Sequence, residues 1–276
     1  MQTLRGDDMA MSNDSIVKIF LVTLGVCVVC AILVATTTVT LRERQEVNKQ
    51  LDKIENILSV SGLEYNKQNI FTVYDDKIKP LIIELETGEE IQKSQFNKDL
   101  NIENFNIKKL SNHSKYGKSI SPTHDLANIK KMPKYMLIYL VTENDELKKL
   151  ILPIYGKGLW STLYGFIAID GDLKTITGLT FYEHGETPGL GGEVDNPRWK
   201  QIWAGKKAFD DNWNLKIEVI KGKVDKSSEE AIYHVDGLSG STLTTRGVDN
   251  LVKFWLGENG YGPYFQKLRE KLNGQN

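Results

Sequence analysis

Between Ile19 and Leu41 the chain runs for 23 residues without a charge, and Ile, Leu, Val, Phe and Ala dominate the run. At about 1.5 Å of rise per residue a helix of that length covers roughly 35 Å, enough to cross a hydrocarbon core with some tilt. A cleaved secretory signal is the other reading, but its apolar stretch is normally about 7–15 residues. We therefore expect a short tail over residues 1–18 and one membrane crossing over 19–41. Both cysteines, Cys27 and Cys30, fall inside the crossing, so nothing beyond residue 41 can form a disulfide or a thiolate metal site. Their spacing puts them on one helix face, which suits small packing residues between helices or a metal shared with a partner. Arg5 and Lys18 precede the crossing, and Arg42, Arg44, Lys49 and Lys53 follow it. Counted by charge, the C-terminal part belongs in the cytoplasm. Long following domains translocate largely regardless of charge, so the count leaves the side open.

The remaining chain is long enough to bury a sizeable core. Its 35 basic and 36 acidic side chains are interspersed and leave a formal net charge of -1. No basic stripe tracks a phosphate backbone, so nucleic acid is not an expected partner. Val47, Leu51, Ile54 and Leu58 recur at three and four, a helical period that continues the crossing as a stalk. From Gly62 to Pro133 the chain is polar, rich in Lys and Asn, and shows neither repeat nor chemical motif.

After Pro133 the pattern sharpens. Tyr135–Thr142 and Leu150–Tyr155 are short β-rich runs around a charged turn. Gly165–Asp170 and Thr175–Glu183 follow, joined by a turn at Gly171 and Asp172. These runs predict a four-stranded antiparallel core. Asn196 before Pro197 reads as an N-cap with proline at the first helical position, giving a short helix that ends at Gly205. Leu215–Ile220 alternates as a further strand, and Val248, Leu251, Val252 and Trp255 mark an amphipathic helix that stops near Gly257. The expected fold is α+β, with the soluble region divided into 42–133 and a domain over 134–276.

Two segments carry chemistry. In Asp236-Gly-Leu-Ser-Gly-Ser-Thr-Leu-Thr-Thr245, glycines and small hydroxyl residues lead into the last amphipathic helix. Free backbone N–H groups and the positive end of a helix dipole attract phosphate there, and Gly237 and Gly240 permit close approach. No Lys stands where a Walker-type loop requires one. The same residues would also serve as an ordinary Ser/Thr cap on a turn. In Glu183-His-Gly-Glu-Thr-Pro-Gly-Leu-Gly-Gly-Glu193, four glycines and a proline control the backbone more closely than a simple turn needs, as in a ligand loop, although wide surface loops share this composition. His113, His124, His184 and His234 include no pair with the i, i+4 spacing of a helical metal site, so no metal is assigned. Lys206, Lys207 and Arg246 are candidates to meet a phosphate or to be plain surface charges. Arg246 is the strongest, because its helix begins beside Thr242.

Together, GLWS at Gly158–Ser161, HGETPGLGGE at His184–Glu193 and DGLSGST at Asp236–Thr242 resemble the FMN-binding domain of covalent flavoproteins. Their order and separations are similar to those in the family of C subunits of sodium-translocating NADH:quinone reductases, and so is the single N-terminal crossing. The resemblance implies an antiparallel-sheet FMN-binding domain with short helices behind one transmembrane helix. It implies FMN held covalently by a phosphoester to Thr242, the residue closing a D-x-x-S/T-G-A-T pattern, after a flavin transferase moves it from FAD. Ser241 stands where that pattern has Ala, and places a second hydroxyl beside the acceptor.

By the same resemblance Asp236, Gly237, Ser239, Gly240, Ser241, Leu243 and Thr244 surround the attachment point. Glu186, Thr187, Gly189, Leu190 and Gly191 lie against the isoalloxazine, and Trp160 and Ser161 line its pocket. Asp236 serves during attachment. The implied role is an electron relay, with FMN alternating between oxidised and one-electron-reduced forms, beside other membrane, flavin and iron-sulfur subunits of a respiratory complex. The implied place is the bacterial inner membrane, with the flavin domain in the periplasm. No G-x-G-x-x-G follows a strand, so NADH is expected to bind a partner. Two rivals share the features: the homologous flavin subunit of the ferredoxin-linked electron-transport complex, which is usually shorter before the FMN domain, and a non-catalytic anchored domain holding a phosphate-bearing ligand reversibly.

Overall fold

A computed structural model describes residues 16–144 and 146–273. Arg5 and the expected tail as far as residue 15 lie outside them. The chain divides into two compact units, residues 1–51 and 52–276. In the first, helix α1 (Ile16–Ser61, which ends in the second unit) contains an 18-residue window of mean hydropathy 2.8, with its side chains exposed, long and apolar enough to cross a membrane. Thr37, Thr38 and Thr40 return their hydroxyl protons to the carbonyls of Leu33, Val34 and Thr36, which hides polar groups at the end of the apolar run.

The second unit is organised on one antiparallel sheet. Strands β4 (Tyr135–Glu143), β5 (Glu146–Lys157), β6 (Thr162–Asp170) and β7 (Ile176–Glu183) form the expected meander. The four-stranded expectation requires correction, because β1 (Ile78–Glu84) adds a fifth strand at the edge, running from Ile78 opposite Val141 to Glu84 opposite Tyr135. Pro80 cannot donate to a ladder, and an edge strand tolerates that. The turn between β6 and β7 is also longer than Gly171 and Asp172. Leu173 has φ +60°, and the Asp172 carboxylate accepts from the N–H groups of Lys174 and Thr175.

Alternation gives each sheet face its own core. Ile138, Leu150, Leu152, Ile154, Ile167 and Leu179 join the apolar side of α5 (Thr242–Leu256), where Val248, Leu251, Val252 and Trp255 are buried. Leu137, Tyr139, Ile151, Phe166 and Ala168 occupy the opposite face. Against that face come residues 52–61 of α1: the Thr180 hydroxyl donates to Asn56 Oδ1 at 3.0 Å, and Val60 lies against Gly178. Helix α2 (Ile70–Lys77) leads from there into β1.

The 62–133 stretch also holds α3 (Ile107–Asn112) and the small pair β2 (Gly117–Ser119) and β3 (Lys131–Pro133). Helix α4 (Pro197–Gln201) is capped as expected, with the Asn196 side chain accepting from Arg198 N. The strand expected at Leu215–Ile220 shrinks to β8 (Glu218–Val219), whose partner is the equally short parallel β9 (His234–Val235). Helix α6 (Gly262–Asn273) closes the fold and buries Tyr264 and Phe265.

Side-chain hydrogen bonds bolt the C-terminal part to β5. Trp255 Nε1 donates to the Tyr155 carbonyl and the Tyr261 hydroxyl to the Pro153 carbonyl, both at 2.6 Å and both buried. Tyr261→Phe should lower stability by about 1–2 kcal/mol, since a buried carbonyl loses its donor. A shift in the urea midpoint with an unchanged slope checks this.

Candidate functional site

Three loops meet at the start of α5. A Cβ on Gly247 would come within 3.0 Å of Gly158 Cα, so the second turn of α5 lies directly on the end of β5 and the Gly158–Ser161 loop. The Gly185–Gly192 segment follows β7, and its Thr187 carbonyl accepts from Leu190 N and Gly192 N. Gly240, with φ +73°, turns the third segment into α5 and leaves Leu190 Cδ2 beside it.

At the junction sits the Glu186 carboxylate, only 5% exposed. Oε1 accepts from the backbone N–H groups of Trp160 (3.0 Å) and Ser161 (3.1 Å). Oε2 accepts from Leu159 N (3.2 Å) and from the Thr244 hydroxyl (2.7 Å). Side chains at 158 and 191 have no room: Cβ atoms there would stand 2.6 and 2.8 Å from the carboxylate oxygens. Burial pushes the Glu186 carboxyl up. The Thr244 hydroxyl and then the N–H groups of Ser161, Trp160 and Leu159 outweigh burial and hold it below the usual carboxylate range.

Thr244 in turn accepts from the buried Ser241 hydroxyl at 3.0 Å. Ser241 is the N-cap residue of α5, yet its side chain makes no cap hydrogen bond. The first N–H groups of α5, from Thr242 to Thr244, have no acceptor in the helix. Thr242 is the first residue of α5 and is exposed. Leu243 (54% exposed), Trp160 (67%) and Leu190 (47%) present large apolar surfaces from the same three loops. Arg246 is exposed four residues after Thr242, hence on the same face of the helix. Lys206 is engaged elsewhere, its Nζ donating to the Ala231 carbonyl.

The other residues expected at the site are also accounted for. Ser239, Thr187 and Gly189 are exposed on the loops, and Gly191 is buried against Thr244 and Glu186. Ser161 Oγ accepts from Gly185 N at 2.6 Å. Asp236 turns its carboxylate to Val224 N, its carbonyl accepts from Trp199 Nε1, and Gly237 packs on Ile220, so this pair braces the approach to the helix. Sequence reasoning set Glu186 against the flavin; the structure turns its carboxylate inward to the loop backbones. It had no role for Thr245, whose hydroxyl accepts from Leu238 N and donates to the Ser241 carbonyl. A Ser/Thr four residues after a predicted N-cap was the signal that could have found it.

An uncapped helix start, an exposed threonine on its first residue and exposed apolar side chains around it are chemically suited to a phosphate-bearing aromatic ligand. The model of the FMN-binding domain family matches residues 158–257, the span that holds all three loops. The Na(+)-translocating NADH-quinone reductase C subunit of Vibrio alginolyticus is 39% identical over 262 residues, covering 95% of this chain and 98% of that protein. The same subunit of Yersinia pestis is 40% identical over 267 residues, covering 95% and 97%. The crystal structure of Shewanella oneidensis NqrC, 31% identical, covers 81% of this chain and 99% of that one with a TM-score of 0.73. The chain belongs to the family of Na(+)-translocating NADH-quinone reductase C subunits.

Proposed function

We propose that this chain carries FMN through a phosphoester on Thr242 and relays electrons within a sodium-translocating NADH-quinone reductase. The carrying observation is Thr242, exposed and free of side-chain hydrogen bonds among the described residues, as the first residue of a helix whose own N-cap side chain is turned away. The residues fit the group. The free N–H groups of Thr242 to Thr244 and the helix dipole would receive the phosphate, with Arg246 one turn on to balance its charge. Trp160, Leu190 and Leu243 would cover the ring system, and the backbone of Thr187 to Gly191 would meet its polar edge. Bound there, FMN supplies a centre that takes and gives electrons singly. The chain contributes the attachment atom, the apolar walls and a rigid frame that holds both.

Other subunits of the reductase are its partners, and a flavin transferase loads the cofactor during maturation. A crossing over 19–41 holds the chain in the bacterial inner membrane, with the FMN-binding domain on the periplasmic side; that domain takes in residues 134–276 and, through β1 and residues 52–61, part of 42–133 as well. Mass spectrometry of the protein purified from its own cells should find an FMN-sized adduct on the peptide that contains Thr242. An unmodified chain mass would overturn the reading, and flavin released by boiling in detergent would replace it with reversible binding.

A further inference from the structure

The start of α5 offers two adjacent hydroxyls, on the N-cap Ser241 and the first helical residue Thr242, and the fold treats them oppositely. Ser241 is 6% exposed and donates to Thr244 Oγ1 at 3.0 Å. Thr244 is fully buried and donates to Glu186 Oε2 at 2.7 Å. The direction of this chain is fixed at its far end. An ionised carboxylate only accepts, and the other groups around Glu186 are the N–H donors of Leu159, Trp160 and Ser161 and the more distant Ser161 hydroxyl. Thr244 must therefore give its proton to Glu186, and its oxygen is left to accept from Ser241. The side chain of Thr242 is exposed and makes no hydrogen bond with the described residues.

We infer that the Glu186–Thr244–Ser241 hydrogen-bond chain determines which of the two hydroxyls accepts the flavin phosphate, by withholding Ser241 and leaving Thr242. Glu186 and Thr244 act as positioning residues. This rests on the proposed attachment. In that step the Thr242 oxygen bonds to the phosphorus of the FMN half of a flavin dinucleotide. The phosphorus–oxygen bond to the nucleoside monophosphate breaks, the monophosphate leaves, and the hydroxyl proton passes to the transferase. Nothing is oxidised or reduced. Ser241 could enter the same step only by giving up a buried hydrogen bond and turning outward. One such bond, in a chain that ends on a charge, is enough to disfavour it by about tenfold or more.

The test co-expresses the full-length chain with a transferase that moves FMN from flavin dinucleotide, and maps the adduct by peptide fragmentation. The wild-type protein should carry it on Thr242, and Thr242→Ala should carry none. Thr242→Ala with Thr244→Val, which removes the hydroxyl and keeps the shape, should carry adduct on Ser241 at about ten times or more the detection limit at which Thr242→Ala alone reads none. Thr242→Ala with Thr244→Ser, which restores the donor, should return to none. Adduct on Ser241 in Thr242→Ala alone, or none in the Val variant when its far-UV circular dichroism matches wild type, overturns the inference. If the Val variant does not fold, Thr242→Ala with Thr244→Ala, which removes the same acceptor with a smaller side chain, is read under the same two criteria. A wild-type chain without adduct sinks the proposed function instead, and is told apart by that arm.

Discussion

On the proposed attachment, Thr242→Ala should abolish covalent flavin while leaving the fold intact. The expected result is loss of in-gel flavin fluorescence from the denatured chain, with a melting temperature within about 2 °C of the unmodified wild-type protein. The separation of the two effects follows from the geometry. Thr242 is exposed and begins α5, while the contacts that anchor this helix come from Val248, Leu251, Val252 and Trp255 in the core. Removing the hydroxyl breaks no internal hydrogen bond, and alanine is the best helix former. An equal loss of fluorescence and stability would make Thr242 a structural residue and leave the attachment point unassigned.

Glu186→Ala should have the larger effect on stability. It removes the acceptor of three backbone N–H groups and of the Thr244 hydroxyl in one change. Each buried donor left unpaired costs about 1–3 kcal/mol, and water will recover part of this because Leu159 and Trp160 are exposed. A net loss of about 3–5 kcal/mol is expected, roughly 10 °C in melting temperature for a domain of this size. The pH dependence has a definite sign. The folded Glu186 carboxyl is held below its ordinary value, so its contribution is complete above the unfolded value of about 4.3. The charge-linked part of that contribution is lost as pH falls from the unfolded value through the lower folded one, so the gap between wild type and Glu186→Ala should narrow progressively on acidification. A gap that stays constant from pH 7 to pH 3 would show that lost packing, and not the charge, sets the cost.

The legible parts of this fold were those whose signal is local. β4 to β7 alternate over short spans, Asn196-Pro197 starts a helix by its own chemistry, and α5 repeats its apolar residues on one face. β1 escaped because Lys79 and Pro80 interrupt its apolar residues, and an edge position beside β4 supplies the pairing that its sequence does not advertise. α6 escaped because Tyr264, Phe265 and Leu268 are its few apolar contacts among charged neighbours. The same distinction applies at the site. Gly240, Ser241 and Thr242 mark a turn into a helix through composition alone, one that suits a phosphate as well as an ordinary Ser/Thr cap. The role of Glu186 depends on three loops from distant parts of the chain arriving at one carboxylate, and no pattern within any one loop encodes that meeting.

A carboxylate shared among these loops also ties the fates of their residues together. Gly158 and Gly191 can change only if the acid moves, and the acid can move only if Thr244 and the backbone near Trp160 find new partners. Substitutions at these four positions should therefore be strongly non-additive in double-mutant cycles. During divergence they would drift as a block, while exposed neighbours such as Pro188 vary singly.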